Sequence, residues 1–181
     1  MPAPDLIAPG FYGKLPTAGD FVSRRLPPDF VRNWDRWVAL HLMPLLASGV
    51  WPEGTAVCFM LGARFHGPAA GVVVPSADRA RRRFPLTLAQ PLILATPCLA
   101  ETGAHWFSKL AATAQAARKG EFDADTLEAE LADMPFPAFA VEGEPLEGTV
   151  FWNDPSALFA VAPEAPRAAL QALLAPSWEP C

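Results

Sequence analysis

Two segments about sixty residues apart hold the residue types that chemistry requires. The first is Gly10-Phe11-Tyr12-Gly13-Lys14-Leu15-Pro16, running into Gly19-Asp20-Phe21-Val22 and then Arg24. The second is Pro75-Ser76-Ala77-Asp78-Arg79, closing on Phe84-Pro85-Leu86-Thr87. Gly13-Lys14 invites a phosphate loop, whose backbone amides cradle phosphate at a helix start. Leu15-Pro16 argues against it, because the proline removes a donor and blocks the helix. No GxSxG elbow is present. His41, His66 and His105 are the only histidines. None has a ligand at i+4 or a nearby cysteine, so neither a triad nor a metal site is read from them.

The carboxylates inside the two segments are Asp20 and Asp78. Both suit turn chemistry, in which aspartate accepts from backbone amides a few residues on. Asp78 is also placed to pair with Arg79 or Arg82. Arg79, Arg81, Arg82 and Arg83 put four arginines into five residues of a chain with formal charge −5. Two readings stay open for them: a solvated loop, or a patch that binds a phosphate or an acidic protein surface, since guanidinium engages such groups bidentately. The acidic balance argues against a general nucleic-acid binder.

Elements must position these groups. A strand is expected over Pro9 to Leu15, followed by a loop at Gly19. Pro27-Pro28-Asp29 reads as a helix start. Phe30, Trp34, Trp37, Val38, His41 and Leu45 form an apolar stripe, opposite Arg32, Asn33, Arg36 and Ala39. Pro44 is expected to kink or end this helix. Strands are predicted at Thr55–Leu61, Ala70–Val74 and Phe84–Leu94, the last at an edge or broken at Pro91. Helices follow at Glu101–Lys119, closed by Gly120, and after an Asp123 or Asp125 cap, stopped by Pro135. Two more strands, Thr149–Trp152 and Ala157–Ala162, flank the turn Asn153-Asp154-Pro155. A last helix starts near Pro166 and carries Leu170, Leu173 and Leu174. Short connections between neighbouring strands predict an α+β fold: one domain over residues 1–181, a largely antiparallel central sheet with helices packed on it. Trp51, Trp106, Trp152 and Trp178 are left unplaced, and any that are exposed would mark an interface.

Length and apolar content fit one ordinary domain. Cys58, Cys98 and Cys181 are widely spaced and odd in number, which predicts a reducing compartment and no disulfide framework. The start, Met1-Pro2-Ala3-Pro4-Asp5, does not read as a signal peptide, and the longest charge-free apolar stretch is interrupted by prolines. The expectation is a cytoplasmic protein without stable membrane insertion.

The residues of the first segment, with Leu26-Pro27, Phe30-Val31 and Trp34-Asp35-x-Trp37, resemble the opening of the TagF (ImpM) family of type VI secretion-associated proteins. Pro75-Ser76-Ala77-Asp78-Arg79 and Arg83-Phe84-Pro85-Leu86-Thr87 resemble its second block. The resemblance runs in order from about Gly10 to Leu88 and is weaker beyond. Arg81 stands where the family pattern has a small residue, often glycine, and Phe151-Trp152 where it tends to carry paired tryptophans. The resemblance implies a cytoplasmic, non-enzymatic, post-translational negative regulator of type VI secretion that binds a forkhead-associated scaffold protein of the apparatus. It implies no cofactor, no metal and no catalytic residue. The partner-binding candidates are Lys14, Asp20, Arg24, Asp78, Arg79, Arg81, Arg82 and Arg83. A second class of function stays open beside it: a small enzyme acting on a phosphorylated substrate through Asp20, Asp78 and the arginines. A concave site where these groups converge would favour the enzyme, and a flat or convex face the binding module.

Overall fold

The computed structural model describes residues 8–137 and 143–176, so Trp178, Cys181 and the first seven residues lie outside the described part. The strands are β1 (Gly10–Lys14), β2 (Phe21–Arg24), β3 (Val57–Leu61), β4 (Ala69–Val74), β5 (Leu86–Pro91), β6 (Thr149–Trp152) and β7 (Phe159–Val161). The helices are α1 (Pro28–His41), α2 (Met43–Ala47), α3 (Leu99–Thr102), α4 (Ala104–Arg118), α5 (Ala124–Ala132) and α6 (Arg167–Leu174). All seven strands form one sheet in the order β2-β1-β5-β4-β3-β6-β7, with every pairing antiparallel. The expected α+β architecture is the observed one.

Helices cover both faces. Successive side chains of a strand point to opposite faces, and β3 obeys this strictly. Val57, Phe59 and Leu61 join the core with α1, α2 and α6, while Cys58 and Met60 join the core with α3, α4 and α5. β4, β5 and β6 divide the same way. This two-sided burial explains why VCFML and AAGVVV read as unbroken apolar runs, a pattern commoner in parallel sheets.

The first core is aromatic. Trp34 is fully buried and stacks on Trp37 at 5.3 Å, with Phe59 at 4.7 Å and Phe65 edge-on at 5.8 Å. Its indole N–H donates to Thr87 Oγ at 2.7 Å on β5. The expected stripe is present: Phe30, Trp34, Trp37 and Val38 are buried. Its continuation is not one helix. α1 ends at His41, which is half-buried, and Pro44 sits in the first turn of the short α2, where its missing N–H is harmless. Trp51, Trp106 and Trp152 are all buried, so these three mark core and not an interface.

Three expectations are corrected. Where a loop is expected after Gly19, β2 forms a four-residue edge strand whose exposed and half-buried residues alternate, too short and too polar to signal itself. β5 is interior, paired with both β1 and β4, which overturns the edge alternative, while the expected break at Pro91 stands because the strand ends there. The helix expected over Glu101–Lys119 breaks at Gly103 into α3 and α4. Other punctuation is as read. Asp123 caps α5 by accepting from Thr126 N at 2.8 Å, and Gly120 follows α4 with φ +84°.

Candidate functional site

The end of the sheet where β1, β4 and α4 finish holds the charged residues. β1 and β5 are neighbours, so the segment after Lys14 and the segment before Leu86 leave the sheet side by side. Gly13 makes this close approach possible. Its φ is +138°, and a Cβ there would lie 2.2 Å from the Pro85 carbonyl oxygen. Only glycine meets both conditions comfortably.

Across this junction the two segments bond each other. Lys14 Nζ reaches Asp78 Oδ2 at 3.0 Å, and both side chains are nearly inaccessible, 8% and 0% exposed. Ser76 Oγ donates to the Lys14 carbonyl at 2.7 Å. Arg79 N donates to the Ala18 carbonyl at 2.8 Å, and its guanidinium to the Thr17 carbonyl at 2.5 Å. The Arg82 guanidinium bridges Asp78 Oδ2 at 2.8 Å and the Gly19 carbonyl at 2.7 Å. The Gly19-Asp20 loop therefore lies against the Asp78-Arg79 loop.

Asp78 organises the second loop. Its Oδ1 accepts from Arg82 N at 2.9 Å, its carbonyl from Arg81 N at 2.9 Å, and its own N–H donates to the Arg82 carbonyl at 3.1 Å. Burial pushes its pKa up. Hydrogen bonds from Lys14 and from the Arg82 amide and guanidinium, with the Arg82 charge, outweigh this and hold it down at about 2. The same bonds that favour the ionised form of Asp78 turn its carboxylate toward the two loops.

The other candidates separate. Asp20 is exposed and accepts from Phe21 N at 2.8 Å, which is turn chemistry. Arg24 leaves the junction and faces α5, 3.4 Å from Glu128 and 3.6 Å from Asp125. Arg83 reaches Glu53 at 3.2 Å. Arg81 is exposed, its side chain has no ion pair or hydrogen bond among the described residues, and its backbone is left-handed at φ 62°. A Cβ is strained in that conformation, and glycine would adopt it more readily. The four arginines are therefore not equivalent: two clasp the junction, one pairs locally, and one projects.

Sequence reasoning missed three participants. Phe21 is 44% exposed, stacks on Tyr12 at 5.7 Å, meets Phe84 at 4.9 Å and lies under Lys14 Nζ at 5.0 Å. It was visible in the first segment, but nothing in a sequence tells a half-exposed edge-strand aromatic from a buried one. Arg118, from the last turn of α4, donates through Nε to the Pro75 carbonyl at 2.9 Å. Glu53 faces Arg83 and Arg118 from the loop before β3. Neither carried a sequence signal, since both come from remote elements. The histidines lie elsewhere: His41 and His66 line one shallow surface groove with Trp37, and His105 is exposed on α4. Burial lowers the His41 pKa. Among the described residues, no three His, Cys, Asp or Glu are grouped to hold a metal ion, and no helix is long and apolar enough to cross a membrane.

Comparison with known proteins now bears on this geometry. No curated protein matches the chain. The crystal structure of PA0076 from Pseudomonas aeruginosa PAO1 is similar, with 28% sequence identity and a TM-score of 0.65 over 90% of this chain and 76% of that one. The family described as the TagF N-terminal domain, type VI secretion system-associated, matches residues 10–134, a span that includes both charged segments and continues well past Leu88. β6, β7 and α6 lie beyond that span, yet β6 pairs with β3 in the same sheet. With its joined segments and most of its length inside that match, the chain belongs to the TagF family of type VI secretion system-associated proteins.

Proposed function

We propose that this protein is a cytoplasmic, non-enzymatic negative regulator of type VI secretion, acting after translation by binding a forkhead-associated scaffold protein of the apparatus. The observation that carries the reading is the use made of the two segments. Asp78, Arg79 and Arg82 are engaged in holding the loops together, and Phe21 stands exposed on β2, under Lys14 and just past the carbonyls that the two guanidiniums clasp. Aromatic side chains and arginines are enriched among interface anchors, and here an exposed aromatic shares one surface with the clasped loops. The opposing reading, an enzyme acting on a phosphorylated substrate through Asp20, Asp78 and the arginines, is less well supported: the Asp78 side chain is wholly buried against Lys14 and Arg82, and Asp20 is engaged by the Phe21 amide.

The test uses the purified full chain and the purified scaffold in titration calorimetry, with effector secretion measured in cells. Phe21→Ser is expected to weaken scaffold binding by about tenfold or more, the scale of a lost anchor of ~1.4 kcal/mol, and to release secretion. Phe21→Tyr should retain both. No binding of the scaffold by the wild-type chain, or full repression by a folded Phe21→Ser variant, sinks the reading.

A further inference from the structure

Beside the junction lies a cleft of about 190 Å³ between the β4–β5 loop, the loop before β3 and the end of α4. Arg81, Arg83 and Arg118 line it, with Glu53 as the one carboxylate not already neutralised, since Asp78 is paired with Lys14 and Arg82. Arg118 is the fixed member. It is 18% exposed, and its Nε bond to the Pro75 carbonyl orients the fork. The two Glu53 oxygens face different arginines, Oε1 at 3.2 Å from Arg83 and Oε2 at 3.8 Å from Arg118. Glu53 is itself 68% exposed. Its turn is tied to α4 by Gln115, which donates to the Gly54 carbonyl at 2.9 Å.

We propose that this cleft binds a phosphorylated serine or threonine side chain of a protein partner, and that Glu53 holds the seat until the phosphate displaces it. Glu53 displays the chemistry that the seat accepts: an oxyanion spanning two guanidiniums. A carboxylate from outside gains nothing over one already tethered in place. A phosphomonoester carries about −1.5 to −2 at neutral pH and three acceptor oxygens, so it can engage all three arginines where Glu53 engages two. Three arginines against one glutamate leave the cleft a net +2, which matches the dianion. Arg81 supplies the third guanidinium from a left-handed backbone that glycine would occupy with less strain. Such strain at a site lip is typical of functional positions.

The proposal builds on the scaffold-binding reading for its occupant only. The experiment titrates the purified full chain with an acetylated, glycine-flanked phosphothreonine pentapeptide. The controls are its unphosphorylated and glutamate versions and inorganic phosphate. The expected result is binding of the phosphopeptide alone, weakening as salt rises. Arg81→Gly should weaken it about tenfold, the effect of losing a charge-assisted contact, without lowering the melting temperature. Glu53→Gln should tighten it by removing the tethered competitor. No phosphopeptide binding, unchanged binding by Arg81→Gly, or weaker binding by Glu53→Gln overturns the site. Equal affinity for inorganic phosphate overturns the protein-partner assignment, and equal affinity for the glutamate peptide overturns the phosphate assignment. A scaffold that binds where the phosphopeptide does not overturns this site and leaves the proposed function standing. Phosphopeptide binding without scaffold binding does the reverse.

Discussion

Lys14 and Trp34 are both buried and both carry a polar group, yet they are held in opposite ways. Trp34 has one N–H to satisfy, and Thr87 Oγ on β5 satisfies it. The rest of its surface meets Trp37, Phe59 and Phe65. Apolar contact of this kind is non-directional and indifferent to pH. Lys14 carries a full charge out of water, which is tolerated only because Asp78 is fixed opposite it. Asp78 in turn stays in place through the Arg82 amide and guanidinium. The aromatic core therefore supplies stability, while the charged junction supplies connectivity: it binds two loops remote in sequence into one surface, at little net gain in energy.

The comparison breaks most sharply at Trp34. Trp34→Ala should lose about 3–5 kcal/mol in urea unfolding, through lost transfer energy and the cavity left behind. It should also leave Thr87 Oγ without its indole donor. A loss no larger than that of a surface substitution would remove Trp34 from the centre of the core.

A smaller loss is expected at the junction, with a different signature. Asp78→Ala strands the Lys14 charge and should clearly destabilise the chain. The double variant Lys14→Met/Asp78→Leu should recover much of that loss, because paired apolar groups of similar volume replace a buried ion pair at little cost. A double variant as unstable as Asp78→Ala would show that the loop bonds of Asp78, and not the stranded charge, dominate.

The third prediction separates the two regions by pH. The folded pKa of Asp78 is depressed to about 2 from an ordinary 3.8. Its ionised form therefore contributes stability that is fully present above pH 3.8 and is lost as pH falls toward 2. Asp78→Asn should flatten the acid limb of the stability–pH curve in that window. Thr87→Val, which removes the acceptor of the Trp34 indole, should shift the whole curve without changing its shape. An unchanged acid limb in Asp78→Asn would remove Asp78 from the acid response.

The smallest effect has the opposite sign. Arg81→Gly relieves a left-handed backbone at the cost of a more flexible unfolded chain, for a net gain of about 0.5–1 kcal/mol. A destabilised Arg81→Gly would mean that its exposed guanidinium makes a contact that outweighs the backbone strain.

Much of the fold was legible because its signals are local. The Phe30, Trp34, Trp37 and Val38 spacing, the Asp123 cap, Gly120 after α4 and the Leu170, Leu173, Leu174 stripe each depend on residues within a few positions of one another. β2 escaped because a short edge strand with one wet face lacks an apolar alternation. Pro91 leaves the edge and interior positions open, because a proline that ends an interior strand looks the same in sequence as one on an edge. In the candidate site, the Lys14 and Asp78 segments were legible as unusual residue combinations. Glu53 and Arg118 were not, because each is an ordinary surface residue until α4 and the loop before β3 are placed beside the β4–β5 loop.

By itself the sequence determined most element types, the α+β class, the family pattern and the presence of two unusual charged segments. Periodicity, capping and turn chemistry act over short separations and leave their marks in residue order. Tertiary structure alone decided which face each strand residue takes, that Lys14 is sealed against Asp78, and that Arg79 and Arg82 clasp carbonyls while Arg81 projects. Those outcomes turn on distances across the sheet between residues more than sixty positions apart, such as the 2.7 Å from Arg82 to the Gly19 carbonyl. A guanidinium's role is set by what lies within hydrogen-bond reach, and chain order does not encode that neighbourhood until the strands have paired.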